Sequence, residues 1–283
     1  IPALLINGRI SERSARRYIR AGSLFKETFQ KFQHLCMQNT NGEKAALTLG
    51  AHRESIEVMG DPKYDALQPM SNEEKKRFRQ TFKLNAETPV WIAGSTHAGE
   101  EVIILKAHRQ LLIKHPNLVL ILAPRRMERV EELIALLKKE NFSFSLRSSP
   151  ASTESASVIL LDTMGELAQI YSLGQVAFIG NSLIKPGGGH SLIEPLSHGL
   201  AVLHGPYVEN ISHVSEIANS QGLTYPIANH EELEEKIHTL LGNIPQRLEI
   251  TEKSKTFIAQ QQGAAKKTTA IITNCLDVQP PNH

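Results

Sequence analysis

The stretch that most constrains this chain runs from Ile179 to Pro206, IGNSLIKPGGGHSLIEPLSHGLAVLHGP. An apolar run of β type, Val176 to Ile179, stops at Gly180. A loop with three consecutive glycines, Gly187, Gly188 and Gly189, follows. His190 and Ser191 lead into a short segment holding Glu194, Pro195 and, four residues after the proline, Gly199. A second apolar run, Leu200 to Leu203, closes at Gly205-Pro206. Strand, glycine loop, helix and strand in this order form a parallel α/β crossover with a ligand loop at a strand's carboxyl end. Glycines carry no Cβ, so the N–H groups of Gly188 and Gly189 can approach an anion closely. A helix start offers free N–H groups and a positive dipole end to the same place. Ser191 is a candidate N-cap, and Glu194 lies three residues on, at capping-box spacing. The other reading of Glu194 is an acceptor for the vicinal hydroxyls of a sugar.

Strands alternate with helices at least five times between Val90 and Ile227, which predicts a parallel sheet covered on both faces. Val90 to Ala93 breaks at Gly94, and the loop to Gly99 carries Ser95, Thr96 and His97. Small residues, hydroxyls and a histidine at a helix start suit a phosphate or carboxylate oxyanion; His97 reads equally well as an exposed loop residue. Glu100 and Glu101 suit a first helical turn by charge alone and need no catalytic role. Leu118 to Ala123 ends at Pro124-Arg125-Arg126, where an arginine can pair with phosphate or stack on a base. Phe142 to Arg147 alternates, predicting a short strand with Phe142, Phe144 and Leu146 inward. Residues 148–157 read as a surface loop. Val158 to Leu161 is a buried strand, and Asp162 or Thr163 after it is a candidate cap for the next helix.

The first 67 residues read as a separate piece. Arg13, Arg16, Arg17 and Arg20 fall on one helical face, and Phe25, Phe29 and Phe32 on another. The arginines are either a solvated face or a basic surface for anionic lipid head groups or a phosphorylated acceptor. Pattern is lost between Asp61 and Ser71, which marks a boundary, and Ser71 with Glu74 spells a helix start. Hydrophobic content of 41% and charged content of 21% are those of a globular protein. The net charge of +2 gives no ground for a nucleic-acid partner. Cys36 and Cys275 have no metal-ligand spacing, nor do His190, His198 and His204, so no metal is expected. No apolar run approaches the ~18 residues of a membrane span. The chain opens on Ile1-Pro2 and at once on a strand-like run, so an amino-terminal part is expected upstream.

Glu194-Pro195-Leu196-Ser197-His198-Gly199 resembles the nucleotide-ribose motif of GT-B glycosyltransferases. With the preceding Gly-Gly-His, it resembles in particular the 3-deoxy-D-manno-octulosonic acid (Kdo) transferases of lipopolysaccharide assembly. Five further stretches agree in order: Asn7 to Ser14, Gly60 to Asp65, Gly94 to Glu101, Pro124 to Arg129 and Asp162 to Leu167. The resemblance implies an α/β GT-B fold: residues 1–67 as the end of an acceptor domain with linker, and 68–283 as a Rossmann-like donor domain with closing helices. It implies CMP-Kdo as donor, a lipid A precursor as acceptor, no obligatory metal or cofactor, and the cytoplasmic face of the bacterial inner membrane. The donor contacts implied are Ser95, Thr96, His97, Arg125, Met164, Gly165, Gly188, Gly189, His190, Ser191 and Glu194. The family's general base and membrane anchor are expected upstream of Ile1, so this chain alone is expected to be inactive. One departure stands out: Ser191 occupies a position where the family commonly carries asparagine. The rival readings are a GT-B transferase using a uridine nucleotide sugar, and a non-catalytic nucleotide-binding domain.

Overall fold

A computed structural model describes residues 3–20, 23–149 and 156–277. Most of the expected loop at 148–157 and the tail from 278 lie outside the described residues, as does the Arg13 side chain. By its internal contacts the chain divides into two compact units, Ile1–Leu67 with Ile258–His283, and Gln68–Phe257. The second unit thus stops at Phe257 instead of running on to His283. The reason is local packing within the first unit. Ala264 and Ile271 of helix Ala264–Asp277 pack with Cys36 and Met59. Asp65 accepts hydrogen bonds from the backbone N–H groups of Gly263 and Ala265.

In the first unit, β1 (Leu4–Gly8), β2 (His34–Met37) and β3 (Ile56–Val58) form a parallel sheet in that order. Helices Glu12–Arg20, Ser23–Gln30 and Thr40–Thr48 connect them. Phe29 is buried with Leu35, Met37, Ala46 and Leu49, while Phe25 and Phe32 pack at the edge of this cluster. The opposite face of the first helix leaves Arg16, Arg17 and Arg20 exposed.

The second unit is a seven-stranded parallel sheet: β4 (Val90–Thr96), β5 (Val119–Pro124), β6 (Phe144–Leu146), β7 (Val158–Leu160), β8 (Val176–Ile179), β9 (Ala201–His204) and β10 (Thr224–Pro226). Their spatial order is β10-β9-β8-β4-β5-β7-β6. The central strands are continuously apolar because helices cover both faces; Trp91, Ile92, Leu120, Ile121, Leu122 and Phe178 are fully buried. Helix Glu100–Lys114 buries Ile104, Ala107 and Leu111, and helix His230–Gly242 buries Leu233, Ile237 and Leu240. The helix from Asn72 opens with the capping box its sequence spells: Ser71 Oγ accepts from Glu74 N, and Glu74 Oε2 accepts from Ser71 N. The expected inward triplet at 142–146 is only partly realised. Phe142 is buried ahead of the strand, but Phe144 and Leu146 are half-buried, because β6 is an edge strand paired only with β7.

Inside this core the His108 imidazole packs beside Trp91. Trp91 Nε1–H donates to His108 Nδ1 at 3.1 Å, which leaves Nε2 as the protonated nitrogen, 2.9 Å from the Ser157 carbonyl. A second proton on Nδ1 would oppose the indole N–H. Burial pushes the His108 pKa down to about 4, so the ring is neutral at pH 7.

The strand order turns back at β4. The chain leaves β4 towards β5 on one side and returns on the other side as β8. The loops after β4 and β8 therefore flank the crevice where open α/β sheets take ligands.

Candidate functional site

β4 does not break at Gly94 but continues, with an irregularity at Ser95, to Thr96; its last residues and the loop after it are shaped by backbone conformations that few residues adopt. Ser95 has φ 55° and Gly99 φ 89°. Beside it, β8 ends at Gly180, where a Cβ would stand 2.3 Å from the Ser95 carbonyl oxygen. The two strand ends thus meet backbone against backbone, a contact that only glycine permits.

Glu100 fastens them together. Its side chain is 1% exposed. Oε2 accepts from His97 N at 2.9 Å and Asn181 N at 2.8 Å; Oε1 accepts from Ser182 N and Leu183 N, both at 2.9 Å. Four backbone donors from two loops thus converge on one buried carboxylate. Sequence reasoning finds only a first-turn acid here, because three of the four donors lie more than 80 residues away. Glu101 is equally buried and takes the Arg129 guanidinium in two hydrogen bonds, which hold the Arg129 pKa above its ordinary value.

Above this clamp, His97 Nε2 lies 2.9 Å from His190 Nε2, with ring centroids 5.1 Å apart. Both rings are half-buried. Burial, then the His97 ring and the Arg125 charge, push His190 down to about 4, with Glu100 opposing. Arg125 is anchored by its backbone N–H to the Thr96 carbonyl at 3.0 Å. Its side chain is exposed and makes no hydrogen bond or ion pair among the described residues. Thr96 is buried, and its hydroxyl lacks a partner.

The glycine loop behaves differently from the anion cradle read in the sequence. Gly188 N donates to the Tyr207 carbonyl, Gly189 N to that of Asn181 and His190 N to that of Gly180. These N–H groups are spent inside the protein. The glycines serve close packing instead: a Cβ at Gly189 would stand 2.6 Å from Ile211 Cδ1. Nor is Ser191 the N-cap. The helix begins at Ile193, Leu192 holds the cap position, and no side chain caps it. The Ser191–Glu194 capping box is therefore not formed, because Glu194 sits in the first turn and not three residues beyond the cap.

That leaves Glu194 without structural employment. It is half-buried, and its carboxylate makes no hydrogen bond or ion pair among the described residues; only its carbonyl is used, by Ser197 Oγ at 2.7 Å. Its charge is felt by the buried Tyr171, whose pKa burial and Glu194 together raise. The Tyr171 hydroxyl fills the space over Gly94, where it would collide with any Cβ. Tyr171 carries no motif, and sequence reasoning misses it.

Met164 and Gly165 stand at the carboxyl end of β7, on the same sheet edge. Met164 is 83% exposed, and Gly165 has φ 85° with open space around it. No hydrogen bond joins either to the residues above. Asp162 and Thr163 are not helix caps: Asp162 accepts from Ser148 N at 2.8 Å, and the Thr163 hydroxyl bonds the Glu166 carboxylate. Glu166 also pairs with Arg147 at 2.9 Å. Burial raises the Glu166 pKa, but these bonds outweigh it and hold it below the usual value. Among the described residues, no group of three or more His, Cys, Asp or Glu is placed to hold a metal, and no helix is long and apolar enough to cross a membrane.

The sheet order and the crevice at the β4/β8 turn-back define a GT-B-type glycosyltransferase fold. A crystal structure of Anabaena HepE with UDP and glucose shares that fold at 13% identity, with a TM-score of 0.59 over 98% of this chain and 72% of that one. Sequence likeness goes further. Residues 1–66 match the family described as 3-deoxy-D-manno-octulosonic-acid transferase. The 3-deoxy-D-manno-octulosonic acid transferase of Haemophilus influenzae is 34% identical over 98% of this chain, which spans 65% of that relative. The C-terminal CMP-Kdo binding domain of WaaA from Acinetobacter baumannii is 30% identical, with a TM-score of 0.56 over 69% of this chain and 95% of that domain. The chain belongs to the Kdo transferase family.

Proposed function

We propose that this chain carries the donor half of a Kdo transferase: it holds CMP-Kdo, from which the sugar passes to a lipid A precursor in lipopolysaccharide synthesis. One observation carries the reading. In a chain 30% identical over 69% of its length to a CMP-Kdo binding domain, the segment after the glycine loop carries the His190 imidazole of the His97–His190 pair and, four residues on, the Glu194 carboxylate, and neither that carboxylate nor the Arg125 guanidinium has a hydrogen-bond or ion-pair partner among the described residues. Glu194 accepts the ribose hydroxyls. Arg125, with His97 and His190, meets the phosphate and the sugar's carboxylate. As the bond from the anomeric carbon to the phosphate oxygen breaks, negative charge collects on CMP, and the fixed cation beside it stabilises that charge. Ser95, Thr96 and Ser191 offer hydroxyls to the same anion. Met164 and Gly165 border the base, and Gly188 and Gly189 shape the wall. No metal is needed in this scheme. The acceptor's proton needs a general base, and no residue described here is given that role; the chain by itself therefore binds the donor without transferring the sugar.

Calorimetric titration with CMP and with UMP tests this. Binding of CMP in preference to UMP is expected. A preference for UMP, or transfer by this chain alone, would overturn the respective part. Arg16, Arg17 and Arg20 are the groups we place against anionic lipid or acceptor phosphate. Reversing their charges should lower binding to vesicles containing anionic lipid at low salt; unchanged binding would remove that role.

A further inference from the structure

We propose that the His97–His190 pair is a single-proton anion receptor: it is neutral when the crevice is empty and takes up one proton as the donor binds. The inference rests on the donor reading above and specifies how the charge is met. Its basis is the 2.9 Å separation of the two Nε2 atoms. At that distance one Nε2 donates and the other accepts, so the gap holds one proton. A doubly protonated pair would set two N–H groups against each other. The neutral pair therefore has one Nδ1 bearing hydrogen and one bare. Neither Nδ1 has a hydrogen-bond partner among the described residues. One added proton makes both Nδ1 atoms donors while the Nε2 bond stays intact, giving two donors and one shared positive charge to a bound anion.

The charged groups around the pair agree with this. Arg125, after β5, and partial burial both disfavour the added proton in the empty crevice, and Glu100 beneath favours it. Lys185, on the same loop as His190, is drawn off over the Tyr207 ring, 5.3 Å from its centroid. In the empty crevice His190 titrates at about 4. An anion brought alongside raises that value, so binding strengthens as pH falls from the raised value towards the lower one. The pair thus favours a ligand that presents two anionic groups over one that presents a single group.

The test is titration of the chain with CMP-Kdo near pH 6.5, in two buffers of unlike ionisation enthalpy. The ligand's phosphodiester and carboxylate are both fully ionised there, so it exchanges no protons of its own. Uptake approaching one proton is expected, with affinity gaining up to about tenfold per pH unit lowered. His97→Asn and His190→Asn should each abolish the uptake. Binding whose heat is independent of buffer, uptake of more than one proton, or uptake surviving in both variants would overturn the proposal while leaving the donor reading standing. No binding by a chain that is folded by circular dichroism would defeat the donor reading and the proposal with it.

Discussion

Glu100→Gln is expected to destabilise the second unit by about 2–6 kcal/mol. The wild-type carboxylate offers two anionic oxygens to four backbone N–H groups, two on each oxygen. An amide keeps the shape but replaces one oxygen with an NH2 group. Whichever way it turns, two backbone donors face another donor in a site closed to water. Each orphaned buried donor costs about 1–3 kcal/mol. Among the described residues Glu100 has no ion-pair partner, and its charge is stabilised by those donors and by the helix N-terminus. Urea unfolding should show the midpoint falling well beyond the roughly 0.5 kcal/mol of a surface change. Glu100→Ala should fall further, because all four donors then lose their partner. A midpoint for Glu100→Gln within the range of surface substitutions would show that the four bonds do not hold the loops. The functional consequence follows from the same geometry. His97 and the segment leading to His190 are both positioned by this carboxylate, so donor affinity should fall together with stability.

Much of this architecture was legible in the chain itself, and the residues show why. Apolar runs that stop at Gly94 and Gly180 marked two strands, although β4 carries on to Thr96, and both glycines are held by contacts a Cβ would block. The spacing of Phe25, Phe29 and Phe32 marked an inward helical face, and all three join one apolar cluster. Ser71 with Glu74 spelled a capping box that formed. Local codes survive when their partners are local. Ser191 with Glu194 spelled the same code and did not form it, because the loop is committed elsewhere: Gly188, Gly189 and His190 bond to carbonyls at 207, 181 and 180, and the chain enters the helix one residue later than the capping box requires. The Glu100 clamp and the Tyr171 hydroxyl over Gly94 were illegible for the complementary reason. Each joins residues far apart in sequence, and neither residue type is unusual where it stands.

Glu194→Ala should separate binding from folding, which Glu100→Gln lowers together. The Glu194 carboxylate makes no hydrogen bond or ion pair within the described protein, so its removal takes no native interaction away. It also relieves the buried Tyr171 of a neighbouring negative charge. Stability should therefore be unchanged within about 0.5 kcal/mol. Binding should suffer heavily. Two vicinal hydroxyls donating to one carboxylate make charge-assisted hydrogen bonds worth about 1.5–3 kcal/mol each. The loss of both weakens CMP by about a hundredfold or more. Glu194→Gln keeps one acceptor oxygen and should fall between the two. A deoxyribose analogue lacking one hydroxyl supplies the matching ligand change. If Glu194 is the ribose acceptor, the analogue loses affinity against the wild type but little more against Glu194→Ala, since the bond it lacks is already gone. Equal losses in both proteins would place the ribose elsewhere. A fall in unfolding midpoint without loss of CMP would return Glu194 to a purely structural role, which its unpartnered carboxylate argues against.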